Sequence, residues 1–161
     1  CISIAQQRGT EIVAGLVYDP LRDETFAAEK GAGAYLNDHR LRVSERKRLD
    51  ESIIATGIPF MGREGHAPYL AQIGALMPLV AGIRRYGSAA LDLAYVAAGR
   101  YEGFWEAGLS IWDIAAGILI VRESGGFVSE LDGRSGMLRS GDVLAANGRL
   151  HGELQKILRN A

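Results

Sequence analysis

With 161 residues, of which 48% are hydrophobic, 23% charged and 7% aromatic, the chain has the size and make-up of one compact globular domain, which excludes disordered and fibrous architectures. Eighteen Lys and Arg against nineteen Asp and Glu leave a formal net charge of −1, so no global field draws it to nucleic acid or an anionic membrane. The single cysteine, Cys1, excludes an internal disulfide framework and a cysteine-based zinc site, and no apolar run reaches the ~20 residues of a membrane-spanning helix, so a soluble, cytoplasmic protein is expected.

The chain opens Cys1-Ile2-Ser3-Ile4-Ala5, with β-branched alternation from the first residue, as though a strand continued from upstream. A turn at Arg8-Gly9 joins it to a second strand over 12–18, which Asp19-Pro20 ends. Strands at 25–29 and 34–36 flank the Gly31-Ala32-Gly33 turn, and 39–43 extends the meander past Asn37-Asp38. Ile53–Thr56 reads as a strand, 57–65 as a loop, and Pro68 as the first turn of a helix running through Leu70, Ile73 and Leu76 to Pro78. After a strand at 83–86, Ser88 caps a helix that is apolar almost all round from Ala89 to Ala97 and is therefore expected to be buried. A strand at 101–106 leads to a second buried helix that begins at Asp113 and ends at Gly125-Gly126. Strands at 127–131 and 143–146 and a helix at 150–158 finish the chain. Strands that first meander and then alternate with helices predict an α+β fold, a sheet packed by helices.

Candidate chemistry concentrates where strands give way to helices. Gly87-Ser88 ends one strand at a helix start, where unpaired backbone N–H groups favour an anion or another hydrogen-bond acceptor. Glu106 closes the next strand, and Asp113 sits in the first turn of the following helix, where the dipole favours its ionised form. Each position has an ordinary explanation taken singly: helix capping for Asp113 and Ser88, a surface strand end for Glu106. Together, two carboxylates and a set of N–H donors at one edge suit a hard divalent cation and an oxygen-rich substrate. The basic run at 40–48, with Arg40, Arg42, Arg46, Lys47 and Arg48, is partly neutralised by Glu45, Asp50 and Glu51 and reads as a solvated face, as does Arg84-Arg85. Gly31-x-Gly33 lacks the third glycine of a dinucleotide fingerprint, and His39, His66 and His151 show no metal-ligand spacing. Cys1 reads as structural in the parent fold.

Gly87-Ser88-Ala89-Ala90-Leu91-Asp92 and Trp112-Asp113-Ile114-Ala115-Ala116-Gly117 resemble the C-terminal signature of the inositol monophosphatase family, Mg²⁺-dependent and typically lithium-sensitive phosphomonoesterases. Further landmarks follow in order: Gly15-Leu16-Val17-Tyr18-Asp19-Pro20, the Glu29-Lys30-Gly31-x-Gly33-Ala34 turn, Glu123-x-Gly125-Gly126 and Ala145-Ala146-Asn147. The resemblance implies a layered α/β sandwich of the sugar-phosphatase type, incomplete at its N-terminus, with residues 1–161 as a single domain forming the C-terminal portion. It implies that Asp113 ligates a Mg²⁺ ion and is catalytic, that Glu106 binds a substrate hydroxyl, and that Gly87, Ser88 and Ala89 line the alcohol side of the substrate. Metal-activated water would attack the phosphorus of an inositol, sugar or other polyol phosphate. A homodimer is implied by the resemblance, while the balanced charge and short apolar runs make a membrane or nucleic acid an unexpected partner.

The family's remaining metal ligands, on a glutamate-bearing helix and an Asp-Pro-x-Asp-Gly-Thr motif, do not occur in this sequence. Asp19-Pro20-Leu21-Arg22-Asp23 lacks the Gly-Thr, places Arg22 where the second Asp belongs, and aligns with the later Val-Tyr-Asp-Pro landmark instead. Mg²⁺ demands near-octahedral oxygen coordination, so one Asp and water would hold it weakly and these residues alone would be an inactive phosphatase. The stretch is thus expected to be the C-terminal part of a longer polypeptide. The alternative is a non-catalytic module that uses the half-fold for dimerisation or for binding protein or RNA through 40–48.

Overall fold

The computed structural model describes residues 1–161. Five strands, β1 (Ile2–Arg8), β2 (Glu11–Asp19), β3 (Glu24–Glu29), β4 (Gly33–Leu36) and β5 (His39–Arg40), pair antiparallel in chain order as a meander. The last is shorter than the 39–43 expected. Leu41 N–H still reaches the Ala34 carbonyl, but Val43 N–H turns to the Ser124 carbonyl at 3.2 Å, and the chain leaves the ladder.

The second sheet combines β6 (Ile53–Thr56), β7 (Gly82–Arg84), β8 (Gly103–Glu106), β9 (Phe127–Ser129) and β10 (Val143–Ala146) in the order β7-β6-β8-β10-β9. Strand β6 is parallel to both β7 and β8, whereas β10 is antiparallel to β8 and β9. Five helices complete the fold: α1 (His66–Leu76), α2 (Ala89–Ala97), α3 (Ile111–Glu123), the one-turn α4 (Met137–Ser140) and α5 (His151–Asn160). The result is the mixed α+β layered sandwich expected. Helices α2 and α3 lie between the two sheets, and α1 and α5 cover the far face of the second. No helix is long and apolar enough to cross a membrane.

Period-two alternation makes the second sheet the partition between two cores. Ala55, Phe104, Val143 and Ala145 face the α2/α3 layer, while Ile54, Trp105, Leu144 and Ala146 face α1 and α5. Phe104, Trp105 and Leu144 are almost wholly buried, each worth roughly 1.5–3 kcal/mol by area removed from water.

The small residues of Trp112-Asp113-Ile114-Ala115-Ala116-Gly117 have a packing reason. A Cβ on Gly15 of β2 would meet Ala116 backbone at 2.9 Å, and one on Gly117 would meet the Leu93 side chain of α2 at 2.6 Å, so α3 crosses both neighbours at close range. Glu123, at the end of α3, accepts hydrogen bonds from Gly31 N–H (2.8 Å) and Gly33 N–H (2.9 Å), tying the helix to the β3–β4 turn some ninety residues away. Two of the sequence landmarks are thus one structural clasp.

Candidate active site

Strands β7, β6 and β8 run parallel, so their carboxyl ends open on one edge, the place where α/β sheets assemble binding sites. The segment after β7 delivers Arg85, Gly87 and Ser88, the one after β6 delivers Gly57, and β8 ends in Glu106. Helix α3 adds Asp113 from its first turn. These residues line a single cleft of about 590 Å³, together with Cys1, Arg63, Ala89 and Trp112. All five residues singled out from the sequence, Gly87, Ser88, Ala89, Glu106 and Asp113, are therefore brought together.

Local chemistry explains each placement. Gly87 adopts φ 90°, which L side chains rarely tolerate, and this reverses the chain into α2. Tyr86 anchors the turn by packing on Tyr95 and Tyr101, with ring centroids 6.1 and 6.0 Å apart. Ser88 is the N-cap of α2 and its Oγ accepts from Leu91 N–H. Asp113 is the third residue of α3, and its Oδ2 accepts from Ser110 N–H at 3.0 Å. The capping role thus holds for both Ser88 and Asp113, while Asp113 also faces the cleft.

The acids of this edge influence one another. Burial pushes the Glu106 carboxyl above the usual carboxylate range; Arg63 opposes the rise, the charge of Asp113 adds to it, and Arg85 opposes it again. Asp92, one turn into α2, is 1% exposed and neither of its carboxyl oxygens has a hydrogen-bond partner. Burial, reinforced by the charge of Glu106 and opposed by Arg85, lifts its pKa to about 7.

A divalent cation would find part of a site here. Asp113 offers a hard oxygen donor on the cleft, with Oδ2 engaged in the cap, and Glu106 stands on the same wall. No three His, Cys, Asp or Glu side chains come together to hold a metal ion. The residues present fit one side of a Mg²⁺ site and do not complete it.

Other sequence expectations change. Arg85, read with Arg84 as a solvated face, lines the cleft. Cys1 lines the same cleft, its Sγ 3.3 Å from Ser88 Oγ. In the basic run, Arg46 bonds at 2.8 Å to the fully buried Glu102, and Arg48 pairs with Asp50. Asp19 is consumed in its own turn, accepting from Leu21 N–H and Arg22 at 3.0 Å each, which agrees with its rejection as a metal ligand. Gly57, Arg63 and Asp92 were not singled out. For Gly57 and Arg63 the signal is the strand order β7-β6-β8, which is not the chain order and gathers the 57–65 loop beside Glu106.

Comparison with known proteins gives this geometry its kinship. The description of the inositol monophosphatase family matches residues 1–161. An inositol-1-monophosphatase of Mesorhizobium japonicum is 51% identical over 158 residues, 98% of this chain and 59% of that protein. The Nus factor SuhB of Escherichia coli is 48% identical over 149 residues, 92% of this chain and 56% of that protein. The crystal structure of the extragenic suppressor protein SuhB from Bartonella henselae superposes with a TM-score of 0.95 at 50% identity, covering 99% of this chain and 62% of that one. The chain thus spans about 60% of the length of these relatives. With the fold, the ordered landmarks and a match along every residue in agreement, the chain belongs to the inositol monophosphatase family.

Proposed function

We propose that the protein is a Mg²⁺-dependent phosphomonoesterase acting on inositol monophosphate or a related sugar or polyol phosphate, and that these 161 residues form its C-terminal portion. One observation carries the reading: Asp113, Glu106 and the Gly87-Ser88-Ala89 turn open on one cleft at the carboxyl ends of parallel strands. Family membership and the identity to inositol-1-monophosphatases support the same class of reaction.

In this reading Asp113 supplies one oxygen ligand to Mg²⁺ and is held in place by its cap on Ser110. Mg²⁺, when bound, neutralises phosphoryl charge and activates water. The N–H groups at the start of α2 and the Ser88 hydroxyl face the alcohol side of the ester. Glu106, half-buried and acceptor-only when ionised, takes a hydrogen bond from a substrate hydroxyl, which favours polyols over simple alkyl esters. Arg63 and Arg85 add positive potential over the cleft for an anionic substrate.

The test is phosphate release from inositol monophosphate by the complete gene product that carries this sequence, with Mg²⁺ and with a chelator. Release that requires Mg²⁺ supports the reading, as does little or no release from residues 1–161 alone; a complete product that releases none overturns it.

A non-catalytic interaction module has one supporting observation, a hollow flanked by Arg42, Lys47 and Arg149, and several similar proteins carry the name Nus factor. It is the weaker reading because Arg46 and Arg48 are tied to carboxylates rather than free for phosphates. A salt-dependent RNA shift lost on replacing Arg42 and Lys47 would favour it.

A further inference from the structure

Glu106 owes its position to a residue just past the end of a neighbouring strand. A Cβ built on Gly57 would coincide with the Glu106 carboxyl group, closer to Cδ and both oxygens than any real contact allows. The carboxylate therefore lies directly against the backbone of Gly57, on the side where any other residue carries its side chain. Gly57 is not in the left-handed region, so its conformation does not demand glycine; the space does. Thr56, before it, is buried and ends β6, the parallel neighbour of β8, with Thr56 registered against Trp105. The strand pairing thus fixes Gly57 beside Glu106.

We infer that Gly57 is a positioning residue for alcohol recognition: by lacking a side chain it seats the Glu106 carboxylate against the β6 edge, where it faces the cleft. This rests on the reading of Glu106 as the group that binds a substrate hydroxyl. The atom displaced by a methyl at 57 is the far end of a flexible side chain, so Gly57→Ala shifts the carboxylate rather than breaking the fold. What is lost is its aim. A misdirected carboxylate forfeits a charge-assisted hydrogen bond to substrate, about a tenfold loss or more in binding.

The experiment compares the complete gene product with its Gly57→Ala, Glu106→Ala and doubly substituted forms. Inositol monophosphate and p-nitrophenyl phosphate, an ester without alcohol hydroxyls, serve as substrates, and the Gly57→Ala protein is also crystallised. The expected result is a KM for inositol monophosphate raised about tenfold by either single change and no further by both, with kcat/KM falling less for p-nitrophenyl phosphate than for inositol monophosphate in every variant. The crystal should show the Glu106 carboxylate displaced. An unmoved carboxylate overturns the inference, as do equal losses on both esters or effects that multiply in the double variant. If the carboxylate moves but Glu106→Ala leaves inositol monophosphate kinetics unchanged, the seat stands and the assignment of Glu106 to the hydroxyl falls.

Discussion

Replacing Asp92 with Asn should flatten the dependence of stability on pH. In the folded protein the buried, unpartnered carboxyl keeps its proton up to about 7, whereas its ordinary value is 3.8. The folded state therefore binds more protons than the unfolded state between these limits. The stability associated with this group is complete below 3.8 and is lost as pH rises, until it levels off above 7. At roughly 1.4 kcal/mol per pH unit the whole loss is about 4 kcal/mol, more than half of it between pH 5 and pH 8. His151 titrates with the opposite sign, because burial lowers its pKa and stability is gained as it deprotonates, but it is present in both proteins and cancels in the comparison. Urea unfolding at pH 5, 6, 7 and 8 provides the assay. The parent should lose about 2–3 kcal/mol more than Asp92→Asn across this range, whatever the absolute cost of placing an amide there. Parallel curves would refute the argument, since they would mean that Asp92 is solvated or paired in the folded protein.

Other substitutions probe the frame that holds the cleft. Arg46→Ala leaves the fully buried Glu102 without its cation and should cost about 2–4 kcal/mol in urea unfolding, the lower end reflecting the half-exposed arginine; an unchanged midpoint would contradict the pairing. Gly117→Ala presses a methyl onto Leu93 at the α2/α3 crossing, for an expected cost of about 1–3 kcal/mol that trimming Leu93 to Ala should partly offset in a double-mutant cycle. Leu144→Ala opens a cavity between β10 and the α1/α5 layer, with a loss of about 2–5 kcal/mol by thermal or urea unfolding.

Sequence patterns exposed the elements whose signals are local. Residues 89–97, apolar almost all round, form the buried α2, and the alternation at 12–18 and 25–29 becomes adjacent strands of the meander. Helix α4 and the 3-10 turn at Leu49–Glu51 escaped because four and three residues carry no readable period. Helix α3 begins at Ile111, two residues before the expected start, because Ser110 is its N-cap. The site was legible where strand ends meet helix starts, at Glu106, Gly87-Ser88 and Asp113. Gly57, Arg63 and Arg85 depend on which strands become neighbours, and Asp92 depends on which face of a mostly apolar helix turns toward Glu106. Neither is written in the spacing of residues.

The most direct test of the account substitutes Asp113 in two ways in the complete gene product. Asn retains an oxygen to accept the Ser110 N–H, whereas Ala removes both cap and charge. Mg²⁺-dependent phosphate release from inositol monophosphate should fall at least about a hundredfold in both variants. Thermal stability should drop in Asp113→Ala, by about 1 kcal/mol, and stay near the parent in Asp113→Asn. Undiminished release by a folded Asp113→Asn protein would contradict the placement of this carboxylate at the metal.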